Sequence, residues 1–156
     1  MIKILAVTIP LLLVPHSINC ALIKGERKPH VKTTSSVQRI ASFVEKHGKG
    51  QIDSITFAKE VSKTKYPKTL TAIAAVESHF NPKAKSNKGA KGVFQIHPSS
   101  GYTSTGNVYK DMRIAERILA DFHERTNLRT AISKYNSGHG RCRTYITKVT
   151  TLRREI

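Results

Sequence analysis

No tryptophan occurs in this chain, and Phe and Tyr bring the aromatic content to only 6%. Stacking platforms for unpaired bases need such rings, so the composition weighs against a single-strand nucleic-acid binder. Acids are scarce as well: 10 Asp and Glu stand against 27 Lys and Arg. None lies between Glu77 and Asp111. A glycosidase that works with two carboxylates needs the second near the first, and the loop after Glu77 offers lysines instead. Chemistry with one acid is favoured, the substrate supplying the second group. Cysteine is confined to Cys20 and Cys142, with no C-x-x-C, and the seven histidines are scattered. That leaves no metal-ligand spacing, and no metal or organic cofactor is implied. The turn from Gly89 to Gly92 lacks the Walker spacing, so it is not a phosphate loop.

Long apolar runs are missing after residue 14, which excludes an ordinary transmembrane helix in the body of the chain. The run that exists, Ile4 to Val14 behind Lys3, is too short to span a bilayer and reads as an export leader over residues 1–20. An exported protein, periplasmic or secreted, is expected. Ser17-Ile-Asn-Cys20 loosely resembles a lipoprotein box. If Cys20 is retained, lipid anchoring or a Cys20–Cys142 disulfide is open; if it is removed, Cys142 is a lone thiol.

What the chain has in abundance is positive charge, formally +17. Such a balance calls for an anionic partner, whether wall polymer, membrane surface or nucleic acid. Residues 21–35 carry Lys24, Arg27, Lys28 and Lys32 without helical or strand periodicity and read as a flexible basic arm. The domain is expected over 36–156, long enough for one hydrophobic core. Nothing in the sequence fixes an oligomeric state, which leaves a monomer as the default.

Helical periodicity dominates the rest. Val37, Ile40, Ala41 and Val44 give a first amphipathic helix, with Ser36 as N-cap and Gly48 as stop. Ile55, Phe57, Ala58 and Val61 give a second, capped by Asp53 or Ser54. Leu70, Ile73, Ala74 and Glu77 share one face of a third, which Pro67 opens. Asn81 to Gly92 and Ser99 to Gly106 read as loops around the short apolar stretch Val93 to Ile96. Ile114, Ile118, Leu119 and Phe122 mark a fourth helix with Asp111 as its cap. Leu128, Ala131, Ile132 and Tyr135 mark a fifth, capped by Asn127. Tyr145, Ile146 and Val149 predict a last short helix. The fold class is all-α with at most a short β-hairpin.

The third helix carries the chemistry. Ala72, Ala75 and Val76 make it apolar nearly all round, so it is a buried helix and Glu77 lies on its core-facing stripe. Burial raises the pKa of a carboxyl group, and an acid still protonated near neutrality can protonate a leaving group. The plain alternative is a Glu paired with an Arg or Lys inside the fold. Gln95, Tyr135 and Asn136 likewise interrupt or follow apolar faces beside turns. Each has its own plain reading: a bond to a loop carbonyl, a core tyrosine, a helix ending.

Taken together and in order, Ala75-Val-Glu-Ser-His-Phe-Asn-Pro82, Ala84-Lys-Ser86, Gly89-Ala-Lys-Gly-Val-Phe-Gln-Ile-His-Pro98 and Ala131 to Gly138 resemble the catalytic domain of soluble lytic transglycosylases. That family shares a lysozyme-like fold with goose-type lysozymes. The likeness covers roughly Ile55 to Val149. It implies that Glu77 is the catalytic acid/base and that Ser78, Gln95, Tyr135 and Asn136 bind substrate or hold the site around it. It implies cleavage of peptidoglycan between N-acetylmuramic acid and N-acetylglucosamine, with closure of a 1,6-anhydro ring on the muramyl unit. Val93 and Phe94 stand where the family has Leu and Met, and Asp111 and Ala115 where Asn and Gly are usual. The stretch after Gly140 is shorter than in many members. Two rival outcomes accompany this reading: a goose-type lysozyme hydrolysis, and a catalytically weak wall-binding domain of a secretion, pilus or phage assembly.

Overall fold

The computed structural model describes residues 35–138 and 142–156. The expected leader, most of the expected basic arm, Cys20 and His139 lie outside the described residues. The described residues fall in one compact unit built from six helices: α1 (Ser35–Gly48), α2 (Ser54–Val61), α3 (Pro67–Ser78), α4 (Val108–Glu124), α5 (Leu128–Ser137) and α6 (Arg143–Glu155). A short 3-10 turn covers Pro98–Ser100. Among the described residues there is no strand, only isolated antiparallel bridges joining Lys85 to Lys91 and Lys91 to Ile96. No described helix is long and apolar enough to cross a membrane.

Helix α3 is the hub. It packs against α1, α2, α4 and α6, while α4 pairs with α5 and α5 with α6. Its sequence explains why. Seven consecutive residues, Thr69 to Ala75, are buried, which a helix can satisfy only with neighbours on every side. Small Ala and Thr side chains let those neighbours approach closely. Pro67 starts the helix at a position that needs no N–H. The helix ends directly after Glu77 and Ser78, because His79 and Phe80 both take left-handed backbone conformations (φ 52° and 64°). The Phe80 and His79 N–H groups close on Ala74 O and Ala75 O, so the last carbonyls are satisfied. What holds two non-glycine residues in that conformation is Phe80 itself, fully buried, with its ring edge-on to Phe57 at 5.4 Å and to Phe43 at 6.4 Å. Gly48 makes room for it: a Cβ there would lie 3.2 Å from the Phe80 ring.

Local signals account for most helix ends. Asp53 caps α2, its carboxylate accepting from Thr56 N. Asn127 caps α5 through Thr130 N. Helix α1 begins at Ser35, so Ser36 lies inside the first turn and is not the cap, a two-residue shift of the kind helix starts commonly show. Two further expectations are corrected. Asp111 does not cap α4. Asn107 does, its Oδ1 accepting from Tyr109 N and Lys110 N, both at 3.0 Å. Asp111 is instead buried in the first turn, where its carboxylate accepts from Ser104 Oγ (2.5 Å), Thr105 N (2.8 Å) and Thr105 Oγ1 (2.8 Å). It thereby ties the 99–106 loop to the helix. The last helix is also not short. Leu152 and Ile156 continue the stripe of Tyr145 and Val149 against the core, which carries α6 through thirteen residues.

The stretch Val93 to Ile96 is a tight turn with Val93, Phe94 and Ile96 buried and Gln95 half-buried. Phe94 stacks on Phe57 with centroids 6.3 Å apart, so its ring fills core. Gly92 is required at the start of this turn. Its φ is 75°, and a Cβ would lie 3.1 Å from Asp111 Oδ2.

Candidate active site

Glu77 sits on the last turn of α3, half-buried, at the meeting of two cavities. The larger has a volume of about 570 Å³ and is lined by the turn before and after Pro98, by α4 and by the end of α5. Gln95, Tyr135 and Asn136 line it together with Glu77. The smaller, about 290 Å³, lies on the α6 side, with Glu77, Asn136, Cys142, Tyr145 and Lys148 in its wall. Glu77 and Asn136 are common to both, which makes a continuous trough with the carboxyl at its waist. Glu77 is the only acid among the described residues in either wall.

The acid has no basic partner among the described residues. Its Oε1 accepts a hydrogen bond from Tyr145 Oη at 2.6 Å. Burial pushes the Glu77 carboxyl above its ordinary pKa, and the Tyr145 bond opposes that rise without cancelling it. The internal salt bridge that the sequence leaves open is therefore absent among the described residues. Tyr145 is buried, and burial together with the adjacent Glu77 holds its phenol well above its usual pKa. It stays a donor throughout the pH range of interest. With Oε1 occupied by that donor, the acidic proton of Glu77 belongs on Oε2.

Ser78 and Tyr135 work on the turn opposite the acid. Ser78 Oγ donates to Val93 O at 2.8 Å and Tyr135 Oη to Phe94 O at 2.9 Å. Two successive carbonyls are thus held by hydroxyls from two different helices. Tyr135 is kept neutral by burial and by the nearby Glu77 and Asp111 charges, which push its pKa well up. Gln95, at the apex of the turn, has φ 46°, an uncommon conformation for a side chain other than Gly, Asn or Asp. Its amide donates to Gly92 O (3.0 Å) and Ala84 O (3.3 Å), and the side chain faces the larger cavity. The plain reading of Gln95, a bond to a loop carbonyl, is realised and coexists with its place in the cavity wall. Asn136 is exposed in the trough beside Glu77.

Sequence reasoning misses Tyr145 as a site residue, placing it only on the apolar stripe of the last helix. The available signal is the residue type. A tyrosine on a buried stripe needs a partner for its hydroxyl, and Glu77 is a half-buried acid in need of one. Asp111 is occupied with its loop, and Glu116 is engaged by Lys65 N and Arg113. Cys142 precedes α6, with its N–H donated to Ser133 Oγ at 2.8 Å. No curated protein and no solved structure gives a significant match to this chain. The family model described as "Transglycosylase SLT domain" matches residues 54–155, from the first residue of α2 to the last of α6, and the chain belongs to that family.

Proposed function

We propose that the protein is a lytic transglycosylase that cuts the β-1,4 bond between N-acetylmuramic acid and N-acetylglucosamine in peptidoglycan, with Glu77 as its single acid and base. The observation that carries this reading is the isolation of Glu77. Among the described residues it is the only carboxyl in the trough, burial raises its pKa above the ordinary value, and its hydrogen-bond partner is a neutral phenol. An enzyme with a second catalytic carboxylate would show it within about 5–10 Å across the scissile bond, and no other acid among the described residues lines the trough.

Glu77 Oε2 gives its proton to the glycosidic oxygen as the bond to muramyl C1 breaks. The resulting carboxylate faces the positively polarised C1 and is steadied by the Tyr145 hydroxyl. It then removes the proton of the muramyl C6 hydroxyl, whose oxygen bonds to C1 and closes the 1,6-anhydro ring. The proton returns to Glu77, and no water is consumed. Ser78 and Tyr135 serve by fixing the turn that presents Gln95, while Gln95 and Asn136 contact the sugars. The leader read at residues 1–20 would bring the protein to the wall side of the membrane.

Mass spectrometry of soluble products from purified peptidoglycan tests this directly. Muramyl ends lacking one water are expected, and Glu77→Gln should lower their rate by at least about 100-fold, the scale of a general acid's contribution. Reducing ends would instead establish the lysozyme outcome. No products under conditions where a control enzyme works would favour a wall-binding role.

A further inference from the structure

The wall of the larger cavity carries two cations, Lys88 and Lys134. No carboxylate among the described residues forms an ion pair with either. Neutral groups hold the Lys134 ammonium and the backbone of the exposed Lys88. The Lys134 ammonium lies over the Phe122 ring, 5.8 Å from its centroid, and Phe122 itself lines the cavity. Lys88 is fixed through its backbone. Its N–H donates to Ser86 Oγ at 3.3 Å, and its carbonyl accepts from His97 Nε2 at 2.6 Å. The His97 ring has no freedom to do otherwise. Its Nδ1 accepts from Ser99 N at 3.1 Å, so the ring proton sits on Nε2 and points at Lys88 O. Ser86, His97 and Ser99 are themselves cavity-lining residues. Two lysines without acidic partners among the described residues, Lys134 over Phe122 and Lys88 on a backbone held by His97, thus share a cavity wall with Glu77.

We infer that Lys88 and Lys134 form a carboxylate-binding site that selects glycan strands by the charged substituent on the muramyl residue. This inference rests on the reading of the trough as a peptidoglycan site. Muramic acid differs from glucosamine by a lactyl ether at C3. Its carboxyl group is either free or joined to a peptide whose own ends are carboxylates. Both cations stand in the cavity wall with no carboxylate other than Glu77 among the described residues of that wall, so an anionic substituent entering the cavity is attracted by both. The selectivity is for carboxylate-bearing strands over neutral ones such as chitin oligomers.

The test measures binding in the Glu77→Gln background, where strands remain uncut, using three probes: peptide-bearing glycan, amidase-stripped glycan with free lactyl carboxyls, and a chitin tetramer. Replacing both lysines by Gln should weaken binding of the carboxylate-bearing strands about fivefold, the size expected of two exposed charge pairs. Chitin affinity should not change, and Lys88→Arg with Lys134→Arg should restore the muramyl strands. A loss confined to peptide-bearing strands assigns the stem carboxylates as the ligand. A loss on stripped strands as well assigns the lactyl group. An equal loss on chitin, or no loss on any probe, overturns the inference while leaving the transglycosylase reading intact. Failure of the Glu77→Gln protein to bind any strand, with no turnover by the native protein, overturns both.

Discussion

In the proposed reaction, the pH range of activity follows from the burial of Glu77 and its one contact across α3 and α6. Burial raises the Glu77 pKa and Tyr145 opposes the rise, since its hydrogen bond favours the carboxylate. As the acid of the proposed reaction Glu77 must start protonated, so activity is expected to fall as pH climbs through that pKa. Tyr145→Phe removes the opposing bond. The Glu77 pKa then rises further, and the alkaline limb of the rate profile moves to higher pH. The maximal rate should fall about tenfold, as expected for one hydrogen bond to a charged group. Rate measured against pH on purified peptidoglycan checks both effects. A lowered rate with an unmoved limb would make Tyr145 a packing residue only. Glu77 is legible in the sequence because its position on an apolar stripe is a local fact. Its partner is not, because Tyr145 lies 68 residues away and only the fold brings the two together.

At the scale of elements, local periodicity and cap chemistry place α2, α3 and α5 well, because their signals lie within a single turn: Asp53, Pro67 and Asn127. The same logic misplaces the start of α4. An acid near a helix start resembles a cap, but Asn107 holds that position, and Asp111 turns inward to collect donors from the preceding loop. Polar Thr150 and Thr151 hide the continuation of α6, which only Leu152 and the buried Ile156 reveal. The inward Asp111 also accounts for a departure from the family pattern. An asparagine in its place could keep the two Thr105 bonds on its oxygen and donate its amide to Ser104 Oγ, which accepts as readily as it donates. Asp111→Asn should therefore cost under about 1 kcal/mol, whereas Asp111→Ala removes the acceptor of all three bonds and should cost about 2 kcal/mol, the scale of a hydrogen bond to a charged group. Denaturant unfolding distinguishes the two. Equal losses would mean that the carboxylate charge, not the pattern of acceptors, holds the loop. The loop matters to the trough because Ser99 and Ser100 stand in its wall.

For the whole molecule the decisive quantity is charge. Ten acids cannot neutralise 27 Lys and Arg, and the acids that do pair, such as Glu60 with Lys63 and Glu116 with Arg113, do so mostly with near neighbours on or beside the same helix. The excess is thus left to the solvent, and it acts on a partner as a field rather than as a set of contacts. We propose that this field holds the protein against anionic wall polymers or a membrane surface between cuts. Such attraction is screened over about 10 Å at 0.1 M salt, while the sugar contacts of Gln95 and Asn136 in the proposed site are not. Retention of the Glu77→Gln variant on isolated walls should therefore fall steeply as salt is raised, with thermal unfolding unchanged over the same range. Walls stripped of their anionic polymers should retain less protein at low salt and show a shallower dependence. Retention indifferent to salt on intact walls would assign wall binding to the trough alone, and would leave the positive charge without a role in holding the protein to the wall.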